Sequence, residues 1–562
     1  MNEIELQWGV GIPMHDGVRL NATLYRPKGQ ARPLPTIFTL TPYGGDAYHS
    51  HAVYFARNGY IFATVDCRGR GNSGGTFRPN VDEGRDGYCV VEWLASQPWS
   101  DKQIAMWGIS YSGHNQWATL KEFPPHLKTI VPAASACPGI NFPMVNNIHF
   151  SHVIQWLTLT SGAITNRAIF EDTRFWIEKY SELYLKYLPF RELDRIVGNL
   201  STCFREYLNH PTYDEFWEAM NPSEEQYRLM RVPILTITGH YDANQSGAMH
   251  YYRMHVRHAT AEARENHFLV MGPWDHAGTR APSDKVGGLK LGGESMVDLD
   301  RLHKEWYDWV LKGGSRPSFL KRRVAFYVMG AETWEYADSL EGVSTGTRIL
   351  YLDSDHGQAH DIFRSGTMSN AAPVASPPDS YVYDPLDLGA VEVERRPSAD
   401  FLTSQCTALS PTRKGLIYHS GPLESEVRLA GYVRLVVWLS IDVPDTDFNA
   451  ALYEITPDGT SVWLTADVKR ARYAGSLKRE ELATPGEIKR YQFETFPFVA
   501  RRLKKGSRLR LIFGPLNSIY WEKNYNTGGV VADETSADAR PARVVLYHDE
   551  LHPSFLELPV SD

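Results

Sequence analysis

Paired cysteines are missing from this sequence. Five occur in 562 residues, Cys67, Cys89, Cys137, Cys203 and Cys406, an odd number with no C-x-x-C spacing, which argues against a disulfide framework and against a zinc site. They read as reduced, mostly buried thiols. Also missing is any run of about 18 apolar residues, the length a membrane-spanning helix needs. The start, MNEIELQWGVGIPMHDG, lacks the basic stretch and apolar run of a secretory signal. The expectation is a cytoplasmic protein with no membrane partner. Positive charge is in deficit, with 58 Lys and Arg against 66 Asp and Glu and a net charge of -8, so no field attracts a phosphate backbone and nucleic acid is not an expected partner. No H-E-x-x-H occurs. The histidines of HYYRMHVRH (His250, His255, His258) are spaced i, i+5, i+8, which does not bring three imidazoles to one helical turn. They read as a solvated helix face, and no metal is expected.

What is present is ordinary soluble composition, 43% hydrophobic and 22% charged, in a chain too long for one core. Residues 9 to 26 read as a hairpin around Asp16-Gly17. The runs TIFTL (36–40), YIFATV (60–65), QIAMW (103–107), LKTIV (127–131), VPILTIT (232–238) and HFLVM (267–271) follow. Each is of strand length, bounded by Gly or Pro, and most are spaced for a crossover helix, which predicts a parallel sheet covered on both faces. About 100 residues separate LKTIV from VPILTIT, too many for a crossover, and their aromatics at helical spacing (FWIEKYSELYLKYLPF, 175–190) predict an inserted helical cap. DLDRLHKEWYDWVLKGG (298–314) sets Leu302, Trp306, Trp309 and Val310 on one helix face and stops at Gly313. From about 316 the texture becomes short β-rich runs such as RVAFYVMG, VRLVVWLSIDV and GSRLRLIFG, read as a β-sandwich or jelly roll. The Pro-, Ala- and Ser-rich GTMSNAAPVASPPDS (366–380) reads as a surface loop. The domain reading is an α/β domain of residues 1–139 and 231–315, a cap of 140–230 and a β-sandwich of 316–562.

GISYSG (108–113) lies between the predicted strand QIAMW and a potential helix, HNQWATLKEF. Strand, sharp turn and helix are what a nucleophile elbow requires, although its closing glycine comes one position late, with Ser112 in its place. A serine hydroxyl needs an imidazole as general base, and that imidazole needs a carboxylate to hold its tautomer. In doubly wound hydrolases these follow in the order Ser, Asp, His on loops after strands. VPILTITGHYD delivers Asp242 and HFLVMGPWDH delivers His276, so the candidates are Ser110, Asp242 and His276. Asp275 as the acid and His240 as the base are the competing assignments. Acyl transfer also needs donors for the developing oxyanion. The backbone N–H of Tyr111 is one candidate. In TPYGG, after the first parallel strand, Tyr43 is either a packing residue or the second donor.

TPYGG, DCRGRGNSGG, GISYSG, GHYD and GPWDH, followed by a β-rich half, resemble the CocE/NonD hydrolase family, which includes cocaine esterase, α-amino acid ester hydrolases, glutaryl acylases and the X-Pro dipeptidyl-peptidases. G-x-S-Y-x-G is that family's own elbow. The resemblance implies an α/β hydrolase fold, a doubly wound, mostly parallel sheet with an inserted helical cap and a C-terminal β-sandwich jelly-roll domain. It implies Ser110 as nucleophile with Asp242 and His276, an oxyanion hole of the Tyr43 hydroxyl and the Tyr111 amide, and no cofactor. Relatives selective for α-amino acyl esters carry acidic residues two and three positions after the triad Asp. Here these are Asn244 and Gln245, so a small-molecule ester or activated amide with a neutral, bulky acyl group is expected, with Trp156, Phe175 and Trp176 as candidate pocket walls. An acylase or acyltransferase on a β-lactam or natural product is one alternative, and an inactive carbohydrate-binding protein another. A homo-oligomer is left open.

Overall fold

The chain enters as a hairpin: β1 (Ile4–Pro13) and β2 (Arg19–Pro27) pair antiparallel, with Pro13 opposite Arg19. At the turn Gly17 takes φ +84°, and Asp16 Oδ1 accepts the Val18 N–H at 3.1 Å, the local bond that makes Asp-Gly a turn former. The computed structural model describes residues 3–355, 357–396, 398–406 and 414–561.

The six apolar runs then form β3 (Leu34–Thr41), β4 (Ile61–Asp66), β5 (Ser100–Ile109), β6 (Leu127–Ala133), β7 (Ile234–Tyr241) and β8 (His267–Asp275). They pair in parallel with one another, and β4 is joined on its other side by β2 running antiparallel. Helices α1 (His49–Arg57), α2 (Glu83–Ser96) and α3 (Tyr111–Leu120) are the crossovers between them. β5 shows why the runs are continuously apolar. Ile104 and Met106 pack on the side of Val90, Leu94 and Trp117 from α2 and α3, whereas Ala105 and Trp107 face Ala52 and Phe55 of α1. Both faces are covered, so neither set can be polar.

The sheet does not end at 315. β9 (Val324–Val328) lies parallel to β8 and β10 (Thr333–Ala337) pairs antiparallel with β9, giving ten strands in the order β1-β2-β4-β3-β5-β6-β7-β8-β9-β10. By its residues RVAFYVMG reads as a sandwich strand, because a buried strand near a sheet edge and a sandwich strand have the same local pattern. What decides its sheet is the neighbour it finds.

Between β6 and β7 lies the insertion, which opens with a two-residue ribbon, Met144–Val145 against Ile148–His149. It continues through α4 (His152–Leu159), α5 (Thr173–Leu185) and further short helices to Glu224–Leu229, as the aromatic spacing predicts. After β7 comes α6 (Gln245–His258), and after β8 comes α7 (Leu299–Lys312). In α7 Leu302 and Trp306 are buried, Asp298 caps the Arg301 N–H at 3.0 Å, and Gly313 takes the left-handed φ of +67° that ends it. On α6 the solvated-face reading fails. His255 is fully buried and its Nδ1 meets His267 Nδ1 at 3.0 Å beside Trp117, because its face of α6 packs against the sheet, while His250 and His258 are half-buried.

The C-terminal domain is β-rich, with thirteen strands in one sheet system among the described residues, around a core that includes Leu435, Val437, Phe448, Phe493 and Phe513. The predicted 366–380 loop is shorter than expected, since its ends enter strands Gly366–Ser369 and Asp379–Tyr383. A buried ion network joins this domain to the start of the cap. Arg470 binds Asp447 through Nε at 2.8 Å and Nη2 at 2.9 Å, reaches Glu522 at 3.0 Å, and donates to the Asn147 carbonyl at 3.3 Å. Burial pushes the Glu522 carboxyl up, but Arg470 and His149 outweigh it and hold the group down at about 2. No helix among the described residues is long and apolar enough to cross a membrane. No metal-binding cluster of His, Cys, Asp or Glu occurs among them.

Candidate active site

β5 ends at Ile109 and α3 starts at Tyr111, leaving Ser110 between them with φ 65° and ψ -119°. Positive φ is costly for a residue with a Cβ. Here the surrounding bonds impose it, since the Ser110 N–H donates to Ala133 O at 2.9 Å while its carbonyl accepts from Gly113 and His114. The late glycine has a steric explanation. A Cβ on Gly108 would lie 2.6 Å from the Ser112 Cβ, and one on Gly113 would lie 2.6 Å from the Ala133 carbonyl oxygen. Strand end and helix start therefore touch through Gly108 and Ser112, and Gly113 passes over β6.

Asp242 follows β7 directly and His276 follows β8 directly, and the two meet with His276 Nδ1 2.7 Å from Asp242 Oδ1. Both carboxylate oxygens are engaged: Oδ2 accepts from Thr238 Oγ1 at 2.8 Å and Oδ1 also accepts the Asn244 N–H at 2.9 Å. With Nδ1 donating to the acid, Nε2 is the free acceptor of a neutral imidazole. The competitors are engaged elsewhere. Asp275 Oδ1 accepts the Gly278 N–H at 2.8 Å. His240 places Nε2 2.7 Å from the Tyr327 carbonyl, and burial lowers its pKa to about 4.

Tyr43 stands at the end of β3 with its hydroxyl oxygen 3.0 Å from Trp156 Nε1. Burial pushes its pKa up to about 12, with hydrogen bonding from Trp156 and Ser110 opposing. Tyr111 is held at both ends: α3 fixes its backbone, and its phenol donates to Glu83 and accepts the Asn80 N–H at 2.7 Å. Two residues of this neighbourhood escape a reading of motifs by type alone. Fully buried Arg70 donates through Nε to Pro42 O at 2.7 Å and through Nη1 to Thr160 O at 2.6 Å and to Gly162 O, so one guanidinium ties the Tyr43 loop to the cap. Glu83 is the anchor of Tyr111. The signal for Arg70 is its place in DCRGRGNSGG, but three of its hydrogen bonds go to backbone carbonyls and one to Thr165 Oγ1, and no residue pattern reports such partners.

The proposed pocket residues divide. Asn244 does reach the nucleophile, with Nδ2 3.5 Å from Ser110 Oγ and 3.1 Å from Ala134 O. Its Oδ1 accepts from Asn141 Nδ2 at 3.1 Å, and Asn141 Oδ1 accepts the Cys137 N–H at 2.8 Å. Trp156 is at the site, stacked on Tyr111 at 5.2 Å. The Gln245 amide is spent away from the nucleophile: its Nε2 donates to Phe498 O at 3.0 Å and His240 O at 3.1 Å, and its Oε1 accepts the Phe498 N–H at 2.7 Å. Helix periodicity turns it away from its neighbour Asn244 and into the β-rich domain. Trp176 is cap core, 2% exposed with Nε1 on the Ile169 carbonyl. Half-buried Phe175 packs edge-on to it at 5.1 Å.

Two family models match the chain, X-Pro dipeptidyl-peptidase (S15 family) over residues 16–278 and X-Pro dipeptidyl-peptidase C-terminal non-catalytic domain over residues 320–557. Cocaine esterase of Rhodococcus sp. (strain MB1 Bresler) is 26% identical over 98% of this chain and 98% of its own. The chain belongs to the CocE/NonD hydrolase family. CocE/NonD members are serine hydrolases, and the fold agrees. An aminopeptidase from a marine sediment Thaumarchaeota archaeon superposes with a TM-score of 0.86 at 21% identity, covering 100% of this chain and 97% of that one. An α-amino acid ester hydrolase gives 0.85 at 20% identity, with the same coverage. At these identities the two structures speak for the architecture alone.

Proposed function

We propose that the protein is a serine esterase that cleaves carboxylic esters of neutral, bulky acyl groups through an acyl-enzyme on Ser110. The observation that carries this reading is the His276–Asp242 contact, formed by two loops that leave adjacent strands beside the Ser110 elbow. Ser110 Oγ attacks the ester carbonyl carbon while His276 Nε2 takes its proton. The carbonyl oxygen becomes an oxyanion that receives hydrogen bonds from the Tyr43 hydroxyl and the Tyr111 N–H. Collapse breaks the bond to the alkoxy oxygen, which leaves as the alcohol with the proton from His276. Water then attacks the acyl-enzyme by the same steps, releasing the acid and restoring Ser110. In the resting geometry Ser110 Oγ accepts from Asn244 and also hydrogen-bonds the Tyr43 phenol, and the hydrogen bonds of a catalytic site commonly tighten only with substrate present.

The choice of a neutral acyl group rests on Asn244. Its amide is oriented by a backbone acceptor on one side and an amide donor on the other, so it turns N–H, not oxygen, toward Ser110. An α-ammonium bound there would meet a donor and stay unpaired, which is costly in a closed site. The test compares kcat/KM for the p-nitrophenyl esters of phenylacetate and phenylglycine, corrected for spontaneous hydrolysis. Preference for phenylacetate is expected. Preference for phenylglycine would overturn the acyl-group assignment, and no turnover of either would overturn the esterase reading.

A further inference from the structure

A phenol oxygen carries one proton and can accept from two directions, whereas an indole nitrogen can only donate. The 3.0 Å contact between Trp156 Nε1 and the Tyr43 hydroxyl therefore has one polarity: the indole gives its proton, the phenol oxygen receives it, and the phenol's own proton must point elsewhere. We infer that Trp156 is a positioning residue for the oxyanion hole, a cap side chain that aims the Tyr43 hydroxyl at the reacting carbonyl oxygen and strengthens it as a donor.

The surroundings favour this role over that of a pocket wall. Trp156 is only 7% exposed, so little of its ring is free to meet an acyl group. The indole is clamped, stacked on Tyr111 at 5.2 Å with 22° between planes and packed edge-on to Phe142 at 5.3 Å. It thus touches both residues that supply the hole, one through a hydrogen bond and one through its ring. A hydrogen bond donated to the phenol oxygen stabilises its negative end, and this opposes the rise in pKa that burial imposes on Tyr43. The cap holds the same loop from a second side, since Thr165 Oγ1 donates to the Tyr43 carbonyl at 2.9 Å. The oxyanion hole is therefore assembled across the seam between the α/β domain and α4, and its quality depends on how the cap is seated.

This inference rests on Tyr43 being an oxyanion donor, so the experiment is a double-mutant cycle of Trp156→Phe and Tyr43→Phe with p-nitrophenyl phenylacetate. Phe keeps an aromatic ring between Tyr111 and Phe142 and removes the N–H. Trp156→Phe is expected to lower kcat roughly tenfold with KM little changed, and to cost nothing further once Tyr43 is Phe. An equal loss in both backgrounds would show a packing role and overturn the inference. Tyr43→Phe leaving kcat unchanged would instead retire Tyr43 as a donor, and the dependent role of Trp156 with it. Replacing Trp156 by 3-benzothienylalanine, an isostere without the N–H, guards against misfolding of the Phe variant. Full kcat in that protein would also overturn the inference.

Discussion

Asp242 and His276 meet at 2.7 Å with very different exposure: the carboxylate side chain is completely shielded from water, and the imidazole is 41% exposed. The acid is thus a fixed element, satisfied by Thr238 and the Asn244 N–H, and the base is the part open to substrate. Asp242→Asn keeps the shape but can present an N–H to Nδ1, which would move the imidazole proton to Nε2 and remove its ability to accept from Ser110. A loss in kcat of about 10⁴-fold is expected, the scale of a wrong tautomer in such triads. Turnover of a p-nitrophenyl ester with circular dichroism as the folding control checks it, and wild-type turnover would exclude Asp242 as the acid.

Gly108→Ala tests the elbow's spacing. Its added methyl would sit 2.6 Å from the Ser112 Cβ and 2.8 Å from the Ser112 carbonyl oxygen, and the latter is backbone that cannot swing away. Destabilisation of about 1–3 kcal/mol is expected, the usual cost of overpacking, together with reduced kcat because the strain falls beside Ser110. Thermal or urea unfolding gives the first number, and an unchanged midpoint would show that the contact relaxes freely.

Asn244→Asp converts the donor facing Ser110 into an acceptor. Charge-assisted hydrogen bonds contribute about 1.5–3 kcal/mol, so the ratio of kcat/KM for phenylglycine over phenylacetate esters should rise by roughly tenfold or more. The carboxylate would also face the Ala134 carbonyl it now lacks a proton to meet, so total activity should fall. A ratio that stays constant would remove residue 244 from acyl-group selection.

Glu83 predicts a pH dependence. Burial pushes its carboxyl from an ordinary 4.5 up to about 7, against the opposing hydrogen bond from Tyr111. The folded protein then holds a proton that the unfolded chain releases, so stability from this group is complete below about 4.5 and is lost as pH rises to about 7. Glu83→Gln removes the ionisation while keeping an acceptor for the Tyr111 phenol. The variant's melting temperature should decline less than the wild type's across that window. Parallel curves would mean that Glu83 keeps its ordinary acidity.

Much of the architecture was legible in the residues. Ile104 to Ile109 announced a strand covered on both sides, and the order Ser110, Asp242, His276 with each residue after a strand was enough to bring Asp242 and His276 together. What escaped was decided at a distance. β9 is indistinguishable from a sandwich strand until β8 is beside it. His255 looked solvated because its burial depends on the sheet beneath α6. Trp156 was recognised as a residue of the site, but its act is a hydrogen bond to Tyr43, and a partner 113 positions away leaves no mark on spacing.

Asn244 and Gln245 are consecutive, yet one amide faces the nucleophile and the other is spent on both backbone groups of Phe498. The step from the acid loop to the far domain is a single peptide bond. The β-rich half is therefore not a detachable module: a shuffled or truncated chain that lost Phe498 would release Gln245 and, one residue away, the amide that turns an N–H toward Ser110. Chimeras between relatives should keep Gln245 and its Phe498 clamp from the same parent.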